Sequence, residues 1–149
     1  MDQMDSAKLM FDFFNIFNDI FFENARPKLS NLTEDNIKSA HFKTIVYLYV
    51  YGTSTMTDIS RWIDLEKGSF TPVANKLIDL SYIARQTSPT DKRKSLLSLT
   101  EKGDMLAQKV LDIYSNHFSS KILKLSKREQ TSFSKSLQSI YELLIKIKE

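Results

Sequence analysis

Residues 55–103 read TMTDISRWIDLEKGSFTPVANKLIDLSYIARQTSPTDKRKSLLSLTEKG, and the changes of period inside that stretch decide the architecture. Thr55 is placed to cap a short helix carrying Met56, Ile59 and Trp62 or Ile63 at helical spacing. A break over Asp64–Gly68 precedes a second helix that turns Phe70, Val73, Leu77 and Leu80 inward. After Tyr82 the helical spacing stops. Tyr82, Ile83 and Arg85 lead into a polar loop from Thr87 to Lys94, and Leu97 and Leu99 then alternate with serines, which predicts a small two-stranded hairpin. Helix, tight turn, helix and basic hairpin in that order suit duplex DNA: the second helix fits the major groove, and the hairpin reaches along the backbone toward the minor groove.

Outward from this stretch the chain predicts more helix. Three glycines and three prolines in 149 residues punctuate it sparsely. A first helix is expected over about residues 6–25, with Met10, Phe13, Phe14, Phe17, Ile20 and Phe21 on a wide apolar face and Arg26-Pro27 closing it. Thr33 is the expected N-cap of a second helix, whose Ile37, His41, Ile45 and Leu48 recur until Gly52. Thr100 should cap a fifth helix with two apolar seams, one through Leu106, Val110, Ile113 and His117, the other through Leu111, Tyr114, Phe118, Ile122 and Leu125. Ser126-Lys127-Arg128-Glu129 has the form of a capping box and opens a sixth helix stepping through Phe133, Leu137, Ile140, Leu144 and Ile147. The fold class is therefore mainly α with a small β-hairpin wing: a winged helix-turn-helix over about 33–100, and helical segments 1–30 and 101–149 around it in one domain, 1–149. Those outer helices carry more apolar surface than a small core can cover, which predicts burial between two copies of the chain.

Composition closes several functional classes. Without cysteine the 149 residues can form neither disulfides, thiolate metal sites nor a thiol oxidation switch. The two histidines, His41 and His117, lie outside any ligand spacing, so neither a metal site nor a cofactor is expected. No Gly-rich phosphate loop, nucleophile motif or paired acid–base arrangement suggests an enzyme. Asp2 and Asp5 oppose a signal peptide, and no apolar run is long enough to span a membrane, so a cytoplasmic protein is expected. Between Arg61 and Lys102 eight Lys or Arg face five Asp or Glu, a net +3 equal to that of the whole chain, so the basic excess sits where DNA would lie.

Helical geometry sends Ser69, Thr71, Pro72, Asn75 and Lys76 outward from the second helix of the pair, which should begin near Lys67 with its first-turn N–H groups open to a phosphate. Asn75 can pair bidentately with adenine and Lys76 can reach guanine or phosphate. Ser69 and Thr71 can serve either, while Thr71 and Pro72 offer apolar contact to a thymine methyl. Arg61, on the preceding helix, suits a phosphate. In the wing, Arg93 is the candidate for minor-groove insertion, with Lys92 and Lys94 on flanking phosphates and Asp91 orienting the Arg93 guanidinium.

The run Asp79-Leu80-Ser81-Tyr82-Ile83-Ala84-Arg85, followed by Asp91-Lys92-Arg93-Lys94 and Leu97-Ser98-Leu99-Thr100-Glu101-Lys102-Gly103, resembles the wing signature of the MarR family of regulators. The resemblance covers the six-helix layout, with its specific motifs over roughly 53–103. It implies a symmetric dimer built from the first, fifth and sixth helices, and an effector pocket between the dimerisation and DNA-binding lobes. Candidates for that pocket are Phe17, Phe21, His41 and Ile45, which would suit a small apolar or aromatic effector. Such a dimer would hold its recognition helices roughly 34 Å apart and select a pseudo-palindromic operator, most simply as a repressor. One departure stands out: the family commonly has glycine where this chain has Ser81, and a positive φ there would make the corner costlier. Two rivals follow from the same residues. One is a zinc-responsive regulator using His41 and His117 with carboxylates. The other is a winged-helix protein-interaction module without DNA specificity.

Overall fold

Capping side chains and residues of positive φ divide the chain into its elements. The structure, a computed structural model, describes residues 3–22, 26–29, 31–89, 91–92 and 94–148. Among the described residues, seven helices and three short strands follow in the order α1 (Gln3–Phe21), α2 (Arg26–Leu29), α3 (Ser39–Tyr51), β1 (Ser54–Thr55), α4 (Met56–Trp62), α5 (Lys67–Asp79), β2 (Ile83–Thr87), β3 (Ser95–Leu99), α6 (Glu101–Ile122) and α7 (Lys127–Lys148).

Three expected caps form. The Thr55 hydroxyl accepts the Asp58 N–H at 3.1 Å, and that of Thr100 accepts the Gly103 N–H at 3.1 Å. At the start of α7 the Ser126 N–H donates to Glu129 Oε2 at 2.8 Å, and the Glu129 N–H reaches back to the Ser126 hydroxyl at 3.4 Å. Thr33 does not cap a helix. Its hydroxyl accepts the Asp35 N–H and meets the Tyr82 hydroxyl, tying a loop, and α3 starts later, behind Lys38. There His41 Nδ1 accepts the Lys38 N–H at 3.0 Å, the backward half of a capping box performed by an imidazole. Nor does Pro27 close the first helix. That helix stops at Phe21, and Pro27 lies in the first turn of the one-turn α2, where its missing N–H has no helical partner to lose.

The turn between α4 and α5 and the stop of α5 share one device. Asp64 (φ 57°) and Ser81 (φ 59°) both adopt the left-handed region just past a helix end. In each case the next N–H returns to the carbonyl five residues back, Leu65 to Ser60 and Tyr82 to Leu77, both at 2.9 Å. The chain thus swings from α5 into β2 at the position where the sequence led us to expect a strained corner.

The hairpin pairs β2 with β3 in the register Ile83–Leu99, Arg85–Leu97 and Thr87–Ser95. A third strand that the spacing had not indicated, β1, adds Ser54 opposite Leu97. Two residues are too few for alternation to register in sequence. The core joins Phe42, Ile45 and Leu48 of α3, Ile59 of α4, Phe70, Ala74 and Leu77 of α5, Ile83 and Leu97 of the sheet, and Leu106, Ala107 and Val110 of α6. On α5 the innermost line is Phe70, Ala74 and Leu77, with Val73 and Leu80 only half-buried. Gly103 lets α6 approach this core, because a Cβ there would run into the Tyr82 carbonyl oxygen and lie 3.0 Å from Leu99 Cδ2.

Phe21 packs at a tilt against Phe17, with ring centroids 4.7 Å apart, and against Phe118 of α6 at 4.8 Å, and Phe118 meets Phe133 of α7 at 6.0 Å. His117 donates from Nε2 to the Ile20 carbonyl at 2.8 Å, fastening α6 to the end of α1. Beyond these contacts α1 and α7 are bare: Leu9, Phe11, Phe14 and Ile16, and Tyr141, Leu143, Leu144 and Ile147, are all exposed. Among the described residues, no helix is long and apolar enough to cross a membrane.

Candidate nucleic-acid interface

The exposed polar side chains expected to meet DNA are carried by α4, α5 and the wing. Burial of Phe70, Ala74 and Leu77 fixes the rotation of α5 about its axis, and Ser69, Thr71, Pro72 and Asn75 are consequently exposed. Pro72 has no N–H to give the Gly68 carbonyl, so the exposed side of α5 carries a break in its hydrogen-bond ladder. Arg61 is exposed in the last turn of α4.

Lys76 differs from its expected setting. It is half-buried, and its ammonium donates to the Asn36 carbonyl at 2.7 Å, forty residues back in the chain. Asn36 is itself left-handed (φ 47°). The loop it occupies is anchored again by Asp35, whose carboxylate accepts the Tyr82 hydroxyl at 2.6 Å and lies 3.4 Å from Lys102 Nζ. Hydrogen bonds from Tyr82 and Thr33 hold the Asp35 pKa below the ordinary carboxylate value, with the Lys102 charge acting the same way. Lys102 also lies over the Tyr82 ring, 4.1 Å from its centroid. This cluster locks the loop before α3, the start of the wing and the start of α6 to one another.

Asn75 has a partner that we had not assigned from sequence. Arg85 of β2 donates from one guanidinium nitrogen to Asn75 Oδ1 at 3.1 Å, and the same nitrogen lies 3.7 Å from Met56 Sδ. Arg85 occupies the same face of β2 as the buried Ile83, opposite buried Leu97, which aims it back over α5. The wing motif contained this arginine, but nothing in the spacing tied it to Asn75.

At the wing tip, the Ser88 N–H donates to the Lys94 carbonyl and the Lys94 N–H to the Asp91 carbonyl, both at 2.9 Å. Lys92 and Lys94 are exposed, and Lys94 Nζ lies 3.9 Å from the Asp91 carboxylate. Arg93 falls outside the described residues, and with it the expected pairing of Arg93 and Asp91.

The structure separates the four residues expected to line a pocket. Phe17 and Phe21 border an apolar groove of about 340 Å³ between α1, α6 and α7. A second, smaller cavity of about 140 Å³ lies between α3, α4 and α6, lined by Phe22, Leu29, Phe42, Val46, Trp62, Val110 and Tyr114, with Lys43 and Ser39 at its edge. His41 and Ile45 line neither. Ile45 is fully buried in the core, and His41 is engaged as the cap of α3. Helical period alone could not distinguish a residue facing this cavity from one a step around α3 facing the core. The two histidines are likewise held apart in separate backbone contacts, and among the described residues no cluster of three or more His, Asp or Glu could hold a metal ion.

Comparison with known proteins places this geometry. The MarR family model matches residues 37–95. The organic hydroperoxide resistance transcriptional regulator of Bacillus subtilis is 29% identical over 119 residues, covering 80% of this chain and 76% of the relative. The regulator MhqR of the same organism is 31% identical over 87 residues, 58% of each chain. Among solved structures, a mutant MarR from E. coli superposes with a TM-score of 0.75 at 18% identity, covering 87% of this chain and 94% of that one. FabT of Streptococcus pneumoniae, crystallised in complex with DNA, gives 0.70 at 22% identity, covering 95% and 99%. The left-handed corner at Ser81, the wing and the capped α6 thus lie in a fold shared with solved MarR winged-helix structures, and over residues 37–95 the chain is similar to the MarR family.

Proposed function

We propose that this DNA-binding regulator works in the cytoplasm as a homodimeric repressor, holding a pseudo-palindromic operator with one α5 in each half-site. The observation that carries the reading is the division of the surface. One face presents Ser69, Thr71, Pro72 and Asn75 beside Lys92 and Lys94, whereas α1 and α7 are apolar and exposed. Exposed side chains on α5 contact bases, and the wing supplies Arg93 to the minor groove with Lys92, Lys94 and Arg61 on phosphates. Lys76 serves by bracing the loop at Asn36, which sets the seat of α5.

A dimer through α1, the far half of α6 and α7 covers the apolar seam of Leu137, Ile140, Leu144 and Ile147. Release follows when a small apolar effector binds better to a dimer whose recognition helices are displaced, since only differential affinity shifts the equilibrium. The cavity lined by Phe42, Trp62 and Tyr114 is the place for it, because its walls belong to α3, α4 and α6 together. One relative is named for organic hydroperoxide resistance, but with no cysteine in this sequence induction here uses no thiol chemistry.

Equilibrium binding to the duplex flanking the protein's own gene, at two salt concentrations and beside Arg93→Ala, tests the reading. The expected result is site-preferring binding that weakens steeply with salt and loses about 1–3 kcal/mol in the variant. No duplex binding even at low salt would leave the interaction module as the better account.

A further inference from the structure

We propose that Arg85 is a positioning residue for DNA reading: it fixes the polarity of the Asn75 amide, so that Asn75 presents hydrogen-bond donors to the groove. The inference rests on the DNA-binding reading above and deepens it. A guanidinium has donors and no acceptor, so the Asn75 atom 3.1 Å from Arg85 is necessarily the carbonyl oxygen. The two ends of an asparagine amide have nearly the same shape, and here a charged neighbour removes the ambiguity.

Among the described residues the Asn75 amide nitrogen has no partner, and the residue is exposed on the outward face of α5. An oxygen already accepting a charge-assisted bond is a poorer acceptor for a second donor. Bidentate recognition of adenine needs that oxygen to accept from the N6 amine while the amide nitrogen donates to N7. The geometry instead suits a base edge made of acceptors, guanine N7 and O6 or thymine O4. Arg85 is held in turn near Met56 Sδ of α4, so helix, recognition helix and wing meet at this one guanidinium.

The test starts by selecting duplexes from a random library with the unmodified protein, then measuring binding to every single-base variant of the selected site. Asn75→Ala identifies the base pair that Asn75 reads, by a loss of discrimination of about tenfold confined to that pair. Guanine or thymine is expected there. Arg85→Ala should broaden the preference at that same pair to admit adenine, while Arg85→Lys, still a pure donor, should keep it. Because Arg85 is exposed, its variants are expected to fold, and circular dichroism checks this. Loss of a phosphate contact alone would weaken all sequences evenly and leave the preference unchanged, which would overturn the inference. So would an adenine at that pair whose replacement by purine, lacking the N6 amine, weakens binding. A library yielding no salt-sensitive duplex would overturn the regulator reading itself and this inference with it.

Discussion

At His41 a side chain expected to face an effector turns out to hold a helix end. The imidazole is buried, its Nδ1 accepts the Lys38 N–H, and that arrangement needs the nitrogen unprotonated. Burial lowers its pKa from the ordinary 6.5, and the Lys76 and Lys38 charges push the same way. Folding therefore favours the neutral form. Its contribution is fully present above about pH 6.5 and is lost as pH falls from there through the lower folded value, since the unfolded chain takes up the proton first. His41→Gln keeps an acceptor at the same helix position without a titrating group. We expect its melting temperature to fall less than that of the parent between pH 7 and pH 5; equal slopes would show that His41 carries none of the dependence. In sequence, His41 was recognisable as one of an inward-facing set, but its bond three residues back in the chain was not. The pair Arg85 and Asn75 and the bond from Lys76 to Asn36 were hidden for a stronger reason, because they join segments whose approach only the fold decides.

The elements themselves were largely legible. Hydroxyls at Thr55 and Thr100 and the Ser126–Glu129 box are local chemistry, acting over three residues, and they form as the spacing predicts. Boundaries were missed where tertiary contacts compete, as at Thr33, which Asp35 and Tyr82 draw away from α3. The stop of α5 was legible in part: the departure from glycine at Ser81 pointed to a costly corner, and the residue is left-handed there. Its side chain is exposed and its N–H returns to the Ile78 carbonyl at 2.8 Å, so only the backbone demands the conformation. Ser81→Gly should accordingly stabilise the protein by about 0.5–1 kcal/mol, less than the full left-handed penalty because glycine loses more entropy on folding. Ser81→Val, β-branched, should destabilise it by at least as much. Chemical denaturation of the three proteins checks the order, and a glycine variant no more stable than the parent would mean that the corner carries no strain.

For the whole molecule the distribution of surface matters more than any single contact. Ile147 at 80% exposure and Phe14 at 66% lie on helices that the core of one chain does not cover, while Lys92 and Lys94 are exposed on the wing. The sequence showed this surplus because apolar seams on three helices outnumber the surfaces available inside one small domain. It could not show which seams meet within a chain, and the structure assigns Phe21, Phe118 and Phe133 to that task. In the proposed dimer, a pair of chains joined through α1 and α7 presents two copies of α5 related by a two-fold axis, and their separation must then match the helical repeat of DNA. The most direct test is binding to duplexes carrying two half-sites whose spacing is changed in single base-pair steps. The account predicts tightest binding near one helical turn, about 10 base pairs centre to centre, and a steep loss when about 5 are inserted and the half-sites face opposite sides. Binding indifferent to spacing, or equally tight to a single half-site, would contradict it.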